Sequence, residues 1–476
     1  MKKGEIIQDL VVETMAAEGK CLSRMNGIVI FLEGGAPGDT VDVQLTKIKS
    51  SFLEGRVTAI KKLSPSRSTP FCQHFGTCGG CSWQHIQYET QLLYKHKQVV
   101  DNLERIGGLQ LPQIEPILGA PQTRYYRNKL DYTFSSQRWL SFAEMDDRRA
   151  ESGDPWGTAE PALGYHIPRK YDLVFDVREC HLQADPSNAI RLAVRDEALK
   201  NNIPFFDLRK QIGFLRTLTI RTANTGEVMV ILQVTYEKME WIDNILLRLE
   251  KDFPQISSFQ YVINGKKNDT FSDLNISTWK GNNYITERMH KPDGGNLNFR
   301  VGPKSFYQTN SVQAHALYML AFKMAALKGD ELVYDLYTGT GTIANFVAGH
   351  AKRVVGLEYV AASIADAKIN ADINNIKNTD FFAGDIKDLL DEGFLATHGR
   401  PDTIITDPPR AGMHEGVTRM LLKAAPQRIV YVSCNPATQA RDLRILNDDY
   451  EIVSVQPVDM FPHTMHVENV VGLNRR

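Results

Sequence analysis

The sequence predicts an α/β protein whose C-terminal third forms a doubly wound, mainly parallel sheet, preceded by two β-rich regions. After a helix capped by Asn310 or Ser311, helical stretches alternate with the segments ELVYDL, RVVGLEY, TDFFAGD, TIITDPP and RIVYVSC. That alternation is typical of a doubly wound sheet. Residues 1–62 instead contain short β-branched segments separated by glycine turns, which predict a small barrel. At 476 residues the chain exceeds what one hydrophobic core supports, so several domains are expected.

The composition is that of an ordinary globular protein, with 42% apolar and 23% charged residues and a formal net charge of −1. No apolar run reaches bilayer-spanning length, and the N-terminus lacks the apolar core of a signal peptide. We therefore expect a cytoplasmic monomer with no membrane association. The segment 47–67 is rich in Lys and Arg, which fits either a solvated face or contacts to phosphate. The acidic stretch 144–160 is predicted to be an exposed loop or insertion.

The central region begins with a cysteine cluster. Cys72, Cys78 and Cys81 lie close together in the sequence and Cys180 follows 99 positions beyond, whereas Cys21 stands alone. In a reducing compartment such a cluster indicates a metal site before a disulfide. Zinc and an iron–sulfur cluster both take four thiolates, so the cysteines alone leave these two alternatives open. A helical run over 88–106, a helix near 186–201 and strand-like segments over 124–300 follow, in a topology that the pattern does not resolve.

A glycine-rich turn follows the first strand of the predicted C-terminal sheet. In the stretch DLYTGTGTIA, Gly339 and Gly341 allow a ligand close to the backbone. Glu358 ends the next strand, 19 residues after Gly339, where a carboxylate can accept hydrogen bonds from ribose hydroxyls. This arrangement predicts an adenosine-containing ligand and does not separate NAD from S-adenosylmethionine.

Three further strands deliver acids and a thiol to the same edge of the sheet. Asp385 ends the third strand, Asp407 precedes two prolines in DPPR, and Cys434 ends the fifth strand in IVYVSCNPAT. Ligands bind beyond the carboxyl ends of such strands. A cysteine that closes a strand is commonly a small packing residue. A thiol and an acid followed by two rigid prolines at the same edge instead suit the methylation of a poor carbon nucleophile. A dehydrogenase has no evident need for such a pair.

Taken together, these motifs resemble the RNA uracil-C5 methyltransferases of the RumA/TrmA type. The resemblance rests on FxQxN at 306–310, DLYxGxG, GD, DPPR, SCNP and the final HTMHVENV, in that order and spacing. It covers nearly the whole chain, since residues 1–62 look like an OB-like TRAM barrel and the four cysteines look like those of the ribosomal-RNA branch. It implies three domains: an RNA-binding TRAM domain at 1–62, a central β-rich iron–sulfur domain at 70–300, and a Rossmann-like class I methyltransferase domain at 301–476.

The resemblance also implies a reaction and assigns residues to it. The enzyme would transfer a methyl group from S-adenosylmethionine to carbon 5 of a uridine in RNA, 23S rRNA by this resemblance, through a covalent bond between Cys434 and carbon 6. Glu468 would be the general base, and Asp407 would orient it or stabilise the enolate. The residues implied to bind S-adenosylmethionine are Gln308, Tyr337, Gly339, Thr342, Glu358, Asp385 and Asp407. The residues implied to bind a [4Fe–4S] cluster are Cys72, Cys78, Cys81 and Cys180.

Three alternatives remain at this stage. The first is a tRNA T-loop uracil-C5 methyltransferase. The second is an RNA-binding module with an inactive methyltransferase fold, against which the intact Cys434 and Glu468 argue. The third is an NAD-dependent oxidoreductase.

Overall fold

A computed structural model of the chain describes residues 1–16, 19–152, 160–168 and 170–476. The N-terminal strands form a small curved sheet in the order β1-β5-β6-β4-β3-β2. Its strands are β1 (Ile6–Val11), β2 (Thr14–Met15), β3 (Cys21–Met25), β4 (Ile28–Glu33), β5 (Thr40–Ile48) and β6 (Phe52–Lys62). Alternate residues of β3, β4 and β5 point inward and form a separate apolar core, which is the packing expected of a barrel.

The central region is built on a second, mostly antiparallel sheet in the order β13-β12-β11-β10-β7-β8-β9. Its elements are α1 (Tyr88–Asp101), β7 (Lys129–Ser135), α2 (Phe142–Ser152), β8 (Ala162–His166), β9 (Val174–Asp176), α3 (Ser187–Lys200), β10 (Leu215–Thr222), β11 (Val228–Val234), α4 (Met239–Asp252), β12 (Ile256–Ile263) and β13 (Ile276–Gly281). Helix α1 continues into a π-helical turn over Asn102–Ile106, and the predicted helix near 186–201 is α3. Strand β11 is buried along its whole length because α3 and α4 share its core.

The acidic stretch begins in a helix and not in a loop, so that part of the prediction was wrong. Helix α2 starts where Ser141 and Glu144 form a capping box: the Glu144 N–H donates to Ser141 Oγ at 3.2 Å, and the Ser141 N–H donates to the Glu144 carboxylate at 2.8 Å. Arg138 then pairs with Glu144 and Glu160 at 2.8 Å each. Residues 153–159, the rest of the predicted loop, lie outside the described residues.

The C-terminal region contains the predicted doubly wound sheet, in the order β18-β17-β16-β19-β20-β22-β21. The region begins with a separate two-stranded hairpin, β14 (Ile285–His290) and β15 (Asn296–Val301). The strands of the sheet and the helices of the region are α5 (Ser311–Ala325), β16 (Leu332–Leu336), α6 (Thr342–Val347), β17 (Arg353–Glu358), α7 (Ala361–Ile373), β18 (Thr379–Ala383), α8 (Ile386–Leu389), α9 (Glu392–His398), β19 (Thr403–Thr406), α10 (Glu415–Ala424), β20 (Arg428–Ser433), α11 (Pro436–Leu446), β21 (Tyr450–Val458) and β22 (Glu468–Arg475). Strands β16 to β20 are parallel, and β22 runs antiparallel between β20 and β21.

The β14–β15 hairpin packs in the same hydrophobic core as α5, α6 and α7. It therefore lies with the C-terminal sheet, although the predicted boundary at residue 300 assigns it to the central domain. The division into 1–62, 70–300 and 301–476 stays a prediction. No helix in the described ranges is both long and apolar enough to cross a membrane.

Candidate active site

The residues predicted to bind the adenosine ligand meet at the carboxyl edge of the C-terminal sheet. Strand β16 ends at Leu336, and the chain then turns through Tyr337 and Gly339, both with positive φ (63° and 54°), before α6 begins. A Cβ on Gly339 would meet nothing within 4 Å, so the backbone here faces open space. A ligand can therefore approach this backbone closely, as the sequence predicts.

Asp335 connects the glycine-rich turn to helix α6 through hydrogen bonds. Its buried carboxylate accepts hydrogen bonds from Thr338 Oγ1 at 2.5 Å and from the Ala344 N–H at 3.0 Å. Burial raises the pKa of Asp335 to about 7, although both hydrogen bonds lower it. Its other oxygen, Oδ1, is buried without a hydrogen-bond partner among the described residues. Asp335 was not among the predicted site residues, although an acid shortly before a glycine-rich turn is a local sequence signal.

The other predicted cofactor residues surround this turn. Glu358, at the end of β17, accepts hydrogen bonds from the Gly339 and Val360 N–H groups at 3.2 and 2.9 Å, which fixes its carboxylate at the rim. Asp385 caps α8 and pairs with Lys387 at 3.0 Å, and this lysine lowers the pKa of Asp385.

Two polar side chains close the same rim. Thr342 is buried in the first turn of α6. Gln308 is 8% exposed, and within the described chain its side-chain amide makes no hydrogen bond, so the amide is available to a ligand. These residues therefore fit an adenosine-type cofactor.

Cys434 and Glu468 lie on adjacent strands of the sheet. Strands β20 and β22 pair with Ser433 opposite Asn469, so the next residues outward, Cys434 and Glu468, are neighbours at the sheet edge. Asn435 then caps α11 through its side chain, and Pro436 occupies the first helical turn. Pro436, two residues after Cys434, therefore starts helix α11 and prevents the strand from continuing.

The loop after Asp407 is fastened to the loop that carries the thiol. The carbonyl oxygen of Arg410 accepts hydrogen bonds from Asn435 Nδ2 at 3.0 Å and Thr438 Oγ1 at 3.2 Å. These bonds hold the DPPR segment beside Cys434. Arg410 supplies a positive charge near Cys434 and Glu468 and was not among the predicted site residues.

These acidic groups raise one another's pKa values. Burial raises the pKa of Glu468 well above its usual range, the charge of Asp407 raises it further, and Arg410 opposes both effects. Burial and the charge of Asp335 raise the pKa of Asp407 to about 7. Burial, then the charges of Glu468 and Asp407, raise the pKa of the Cys434 thiol to about 11, while Arg410 lowers it. The site thus favours protonated, neutral groups until a cation or substrate enters.

Tyr318 is a further residue that sequence analysis did not single out. It lies on α5, is 5% exposed and stacks at a tilt against Phe346, with ring centroids 6.2 Å apart. Burial and the nearby charges of Asp407, Asp335 and Glu468 keep the pKa of its phenol above the usual range. A neutral hydroxyl therefore accompanies the three carboxyl groups.

The four predicted cysteine ligands line one pocket in the central region, together with His74, Tyr165 and His181. Burial raises the pKa of Cys78 to about 11 and that of Cys81 to about 12, and neighbouring thiols of the set add to both shifts. Within the described residues, no three or more His, Cys, Asp or Glu side chains form a group that could hold a metal ion directly. The donor chemistry fits a thiolate-bound group, because four cysteines face a common space.

The predicted phosphate-contacting residues are largely engaged within the protein. In the 47–67 segment, Lys47 pairs with Glu54 at 2.8 Å and Arg67 pairs with the buried Asp39 at 2.7 Å. In a second basic segment, RYYRNK at 124–129, the guanidinium of Arg124 lies 3.9 Å from the ring centroid of Phe71. These contacts give at least part of both segments a structural role.

Comparison with known proteins agrees with this geometry. Residues 277–476 match the family model tRNA (Uracil-5-)-methyltransferase, and residues 4–58 match the TRAM domain. An uncharacterized RNA methyltransferase of Bacteroides thetaiotaomicron is 53% identical over 97% of this chain and 100% of its own length. One of Chlorobaculum tepidum is 38% identical over 100% of this chain and 97% of its own length.

A solved structure shares the whole architecture. The Pyrococcus abyssi tRNA (uracil-54, C5)-methyltransferase in complex with S-adenosyl-L-homocysteine superposes with a TM-score of 0.73. It is 26% identical and covers 98% of this chain and 100% of its own. The chain belongs to the S-adenosylmethionine-dependent RNA uracil-C5 methyltransferases and carries a TRAM domain. The predicted family, fold class and enzyme class are thereby confirmed.

Proposed function

We propose that the protein methylates carbon 5 of a uridine in 23S rRNA and that Cys434 forms a covalent bond to carbon 6 during the reaction. The observation that carries this proposal is the pairing of β20 with β22, which makes Cys434 and Glu468 neighbours at the same edge of the sheet as the glycine-rich turn. A nucleophile and a base at one sheet edge match the two demands of the chemistry. Carbon 5 must first become nucleophilic and must afterwards lose a proton.

Cys434 acts first in this mechanism. Its thiolate adds to carbon 6 of the uracil, and the electron pair displaced from the 5,6 double bond gives carbon 5 the character of an enolate carbon. Bound S-adenosylmethionine supplies the electrophilic methyl group. Because the pKa of the thiol is raised to about 11, the thiol must lose its proton as the substrates bind. Arg410, which lowers that pKa, favours the thiolate.

Glu468 acts after methyl transfer. Its carboxylate removes the remaining proton from carbon 5, the electron pair re-forms the double bond, and the Cys434 sulfur leaves carbon 6. A carboxyl group with a raised pKa is a stronger base than an exposed one, which suits proton removal from carbon. Asp407, close enough to raise the pKa of Glu468, orients this base or stabilises the enolate.

The cofactor residues keep the roles that the resemblance implies. Glu358 would accept hydrogen bonds from the ribose, and the open backbone at Gly339 would lie against the ligand. Gln308 would use its free amide, and Tyr337, Thr342, Asp385 and Asp407 would complete the pocket. The buried orphan oxygen of Asp335 and the open turn support this fit.

The RNA substrate must present its uridine outside a base stack. Carbon 5 is inaccessible within stacked bases, so the nucleotide is extruded into the site, which is easiest in a loop. The TRAM domain and the four-cysteine set favour ribosomal RNA. A tRNA is the second candidate, because the Pyrococcus abyssi enzyme named for uracil 54 of tRNA matches the full length of the chain. Mapping 5-methyluridine in rRNA and tRNA from a deletion strain decides between the two. If neither RNA loses a 5-methyluridine in that strain, the proposal is overturned.

We also propose that Cys72, Cys78, Cys81 and Cys180 hold a [4Fe–4S] cluster with a structural role. The pocket that all four cysteines line supports this proposal, because a [4Fe–4S] cluster takes four cysteine thiolates as ligands. Protein purified without oxygen should be brown with about four irons per chain. Stoichiometric zinc without visible absorption would overturn the cluster assignment.

The catalytic roles are tested by two substitutions that fail at different steps. Cys434→Ala should bind RNA and cofactor and form no covalent species. Glu468→Gln should add to the base, transfer the methyl group and then stall, because carbon 5 keeps its proton. It should accumulate a protein–RNA adduct that survives a denaturing gel, with one methyl group per crosslink. Normal turnover by Glu468→Gln would refute the base assignment, and Asp407 would be the next candidate.

A further inference from the structure

The proposed base follows a loop that forms hydrogen bonds both within itself and with distant parts of the chain. Residues 459–467, called the base loop here, connect β21 to β22 and lead directly into Glu468. His463 lies at its centre with φ 62°, a left-handed conformation that is uncommon for residues other than glycine. The hydrogen-bond partners of its backbone lie in a segment more than 370 positions earlier.

Both backbone polar groups of His463 are bonded to that distant segment. Its carbonyl oxygen accepts hydrogen bonds from the N–H groups of Ser82 and Trp83, at 2.9 and 3.0 Å. Its N–H donates to Gln91 Oε1 at 2.9 Å, and Gln91 Nε2 lies 3.1 Å from His463 Nδ1. Gln91 is fully buried on α1 and also donates to the Trp83 carbonyl oxygen at 3.0 Å, so it links the two sets of contacts.

A second attachment lies at the start of the base loop. Lys95, one turn further along α1, donates to Asp459 Oδ1 at 2.6 Å and to the Phe461 carbonyl oxygen at 3.1 Å. Both members of this ion pair are fully buried. Tyr88, on the same helix, donates to Asp459 Oδ2 at 2.8 Å. Helix α1 therefore holds the base loop at two points.

The same segment forms a wall of the cysteine pocket. Cys81 lines the pocket and immediately precedes Ser82 and Trp83, whose N–H groups hold His463. Phe71, next to Cys72, contacts the His463 ring edge-on, with centroids 5.0 Å apart. A pocket cysteine is thus directly followed in the chain by the two residues that donate hydrogen bonds to the base loop.

We propose that Gln91, with the Ser82–Trp83 backbone, positions Glu468 for proton removal, so that the cysteine pocket sets the geometry of the base. This inference rests on the proposed role of Glu468. Proton transfer needs the carboxylate within hydrogen-bonding reach of carbon 5, and a displacement of about 1 Å costs on the order of a hundredfold in rate. Cys434 directly follows β20, and the residues after it are held by hydrogen bonds from Asn435 and Thr438 to the Arg410 carbonyl oxygen, outside the base loop. Disturbing Gln91 should therefore slow the release step and leave addition intact.

The test compares Gln91→Met with a matched control, Gln260→Met. Gln260 is also buried, at 1% exposure, and donates at 3.0 Å to Ser258 Oγ and to the Asn282 carbonyl oxygen in the central sheet, away from the base loop. Single-turnover reactions with uridine-containing RNA are run on denaturing gels. They follow adduct formation and release of methylated RNA separately.

Gln91→Met should form the methylated adduct within about threefold of the wild-type rate and release it about ten- to a hundredfold more slowly. Gln260→Met should accumulate no adduct. Gln91→Glu, which keeps an acceptor for the His463 N–H but loses the donor to the Trp83 carbonyl oxygen, should accumulate less adduct than Gln91→Met and more than the wild type. The comparison with the wild type provides the test if Gln91→Met does not fold.

The outcomes separate the inference from the proposed function. If Glu468→Gln accumulates the adduct and neither Gln91 variant does, the positioning role is wrong and Gln91 is only structural. Equal slowing of addition and release by Gln91→Met leads to the same conclusion. If Glu468→Gln itself accumulates no adduct, the base assignment fails, and the inference fails with it.

Discussion

The reactivity of Cys434 in the free enzyme gives a direct test of the electrostatics of the site. Burial and the charges of Glu468 and Asp407 raise the pKa of this thiol from an ordinary value of 9.0 to about 11. Each pKa unit is a factor of ten in the thiolate fraction, so at pH 8 this fraction should be about a hundredfold below that of an unshifted thiol. Only the thiolate reacts with iodoacetamide, and alkylation of Cys434 should be slowed accordingly.

The assay measures alkylation of the Cys434 peptide by mass spectrometry, without RNA or cofactor, from pH 7 to 10. The rate should rise about tenfold per pH unit without a plateau, because the whole range lies below the pKa of the thiol. At pH 9, Glu468→Gln should react several times faster than the wild type, since it removes the largest charge effect that raises the pKa. Arg410→Gln should react more slowly, because the guanidinium lowers that pKa.

This pair of opposite shifts is the control for indirect effects. A variant that merely loosens the site would speed alkylation whichever charge is removed. A plateau at or below pH 9 would show that the thiol is not raised in pKa. Slower alkylation of Glu468→Gln than of the wild type would contradict the proximity of Glu468 to Cys434.

Three further predictions concern stability and binding. Lys95→Met leaves the buried Asp459 carboxylate without its cation and should lower the free energy of unfolding in urea by about 3–5 kcal/mol. Combining Lys95→Met with Asp459→Leu should recover most of this loss. A loss below about 1 kcal/mol for the single variant would contradict the buried ion pair. Gly341 has φ 75°, and a Cβ added there would lie 2.9 Å from the Cβ of Ala367. Gly341→Ala should therefore raise the Kd for S-adenosylmethionine at least about tenfold in calorimetry. Gly349→Ala, whose added Cβ would meet no atom within 4 Å, should bind the cofactor normally. Deleting residues 1–62 should weaken RNA binding, with a loss that shrinks at high salt, and leave cofactor affinity nearly unchanged; equal loss of cofactor binding would show that the barrel is needed for folding.

The C-terminal sheet could be predicted closely because its signals are local. Strands β16, β17, β19 and β20 are buried along most of their length and therefore appear as apolar runs, each with a motif residue at or near its carboxyl end. The cap of α5 is equally local, and Asn310 accepts the Gln313 N–H as expected. Helix α2 had a local signal as well, the capping box of Ser141 and Glu144, which the acidic composition obscured.

The supports of the site could not be predicted, because their partners are distant in the sequence. Lys95 lies in a polar helical run in which a lysine is normally exposed, and only Asp459 explains its burial. Gln91 likewise gains its role from His463. The order of strands in the central sheet, where β11 pairs in parallel with β12 across α4, also follows from packing and not from periodicity.

The separation of 364 positions between Lys95 and Asp459 has a consequence for how the protein is made. Helix α1 leaves the ribosome early, yet its lysine meets a carboxylate only after nearly the whole polypeptide has been synthesised. Until then the polar inner face of α1 stays hydrated, because burying an unpaired ammonium is costly. Long-range closures of this kind slow folding. Docking of α1 thus waits for the last strands, and a fragment lacking those strands would keep α1 undocked.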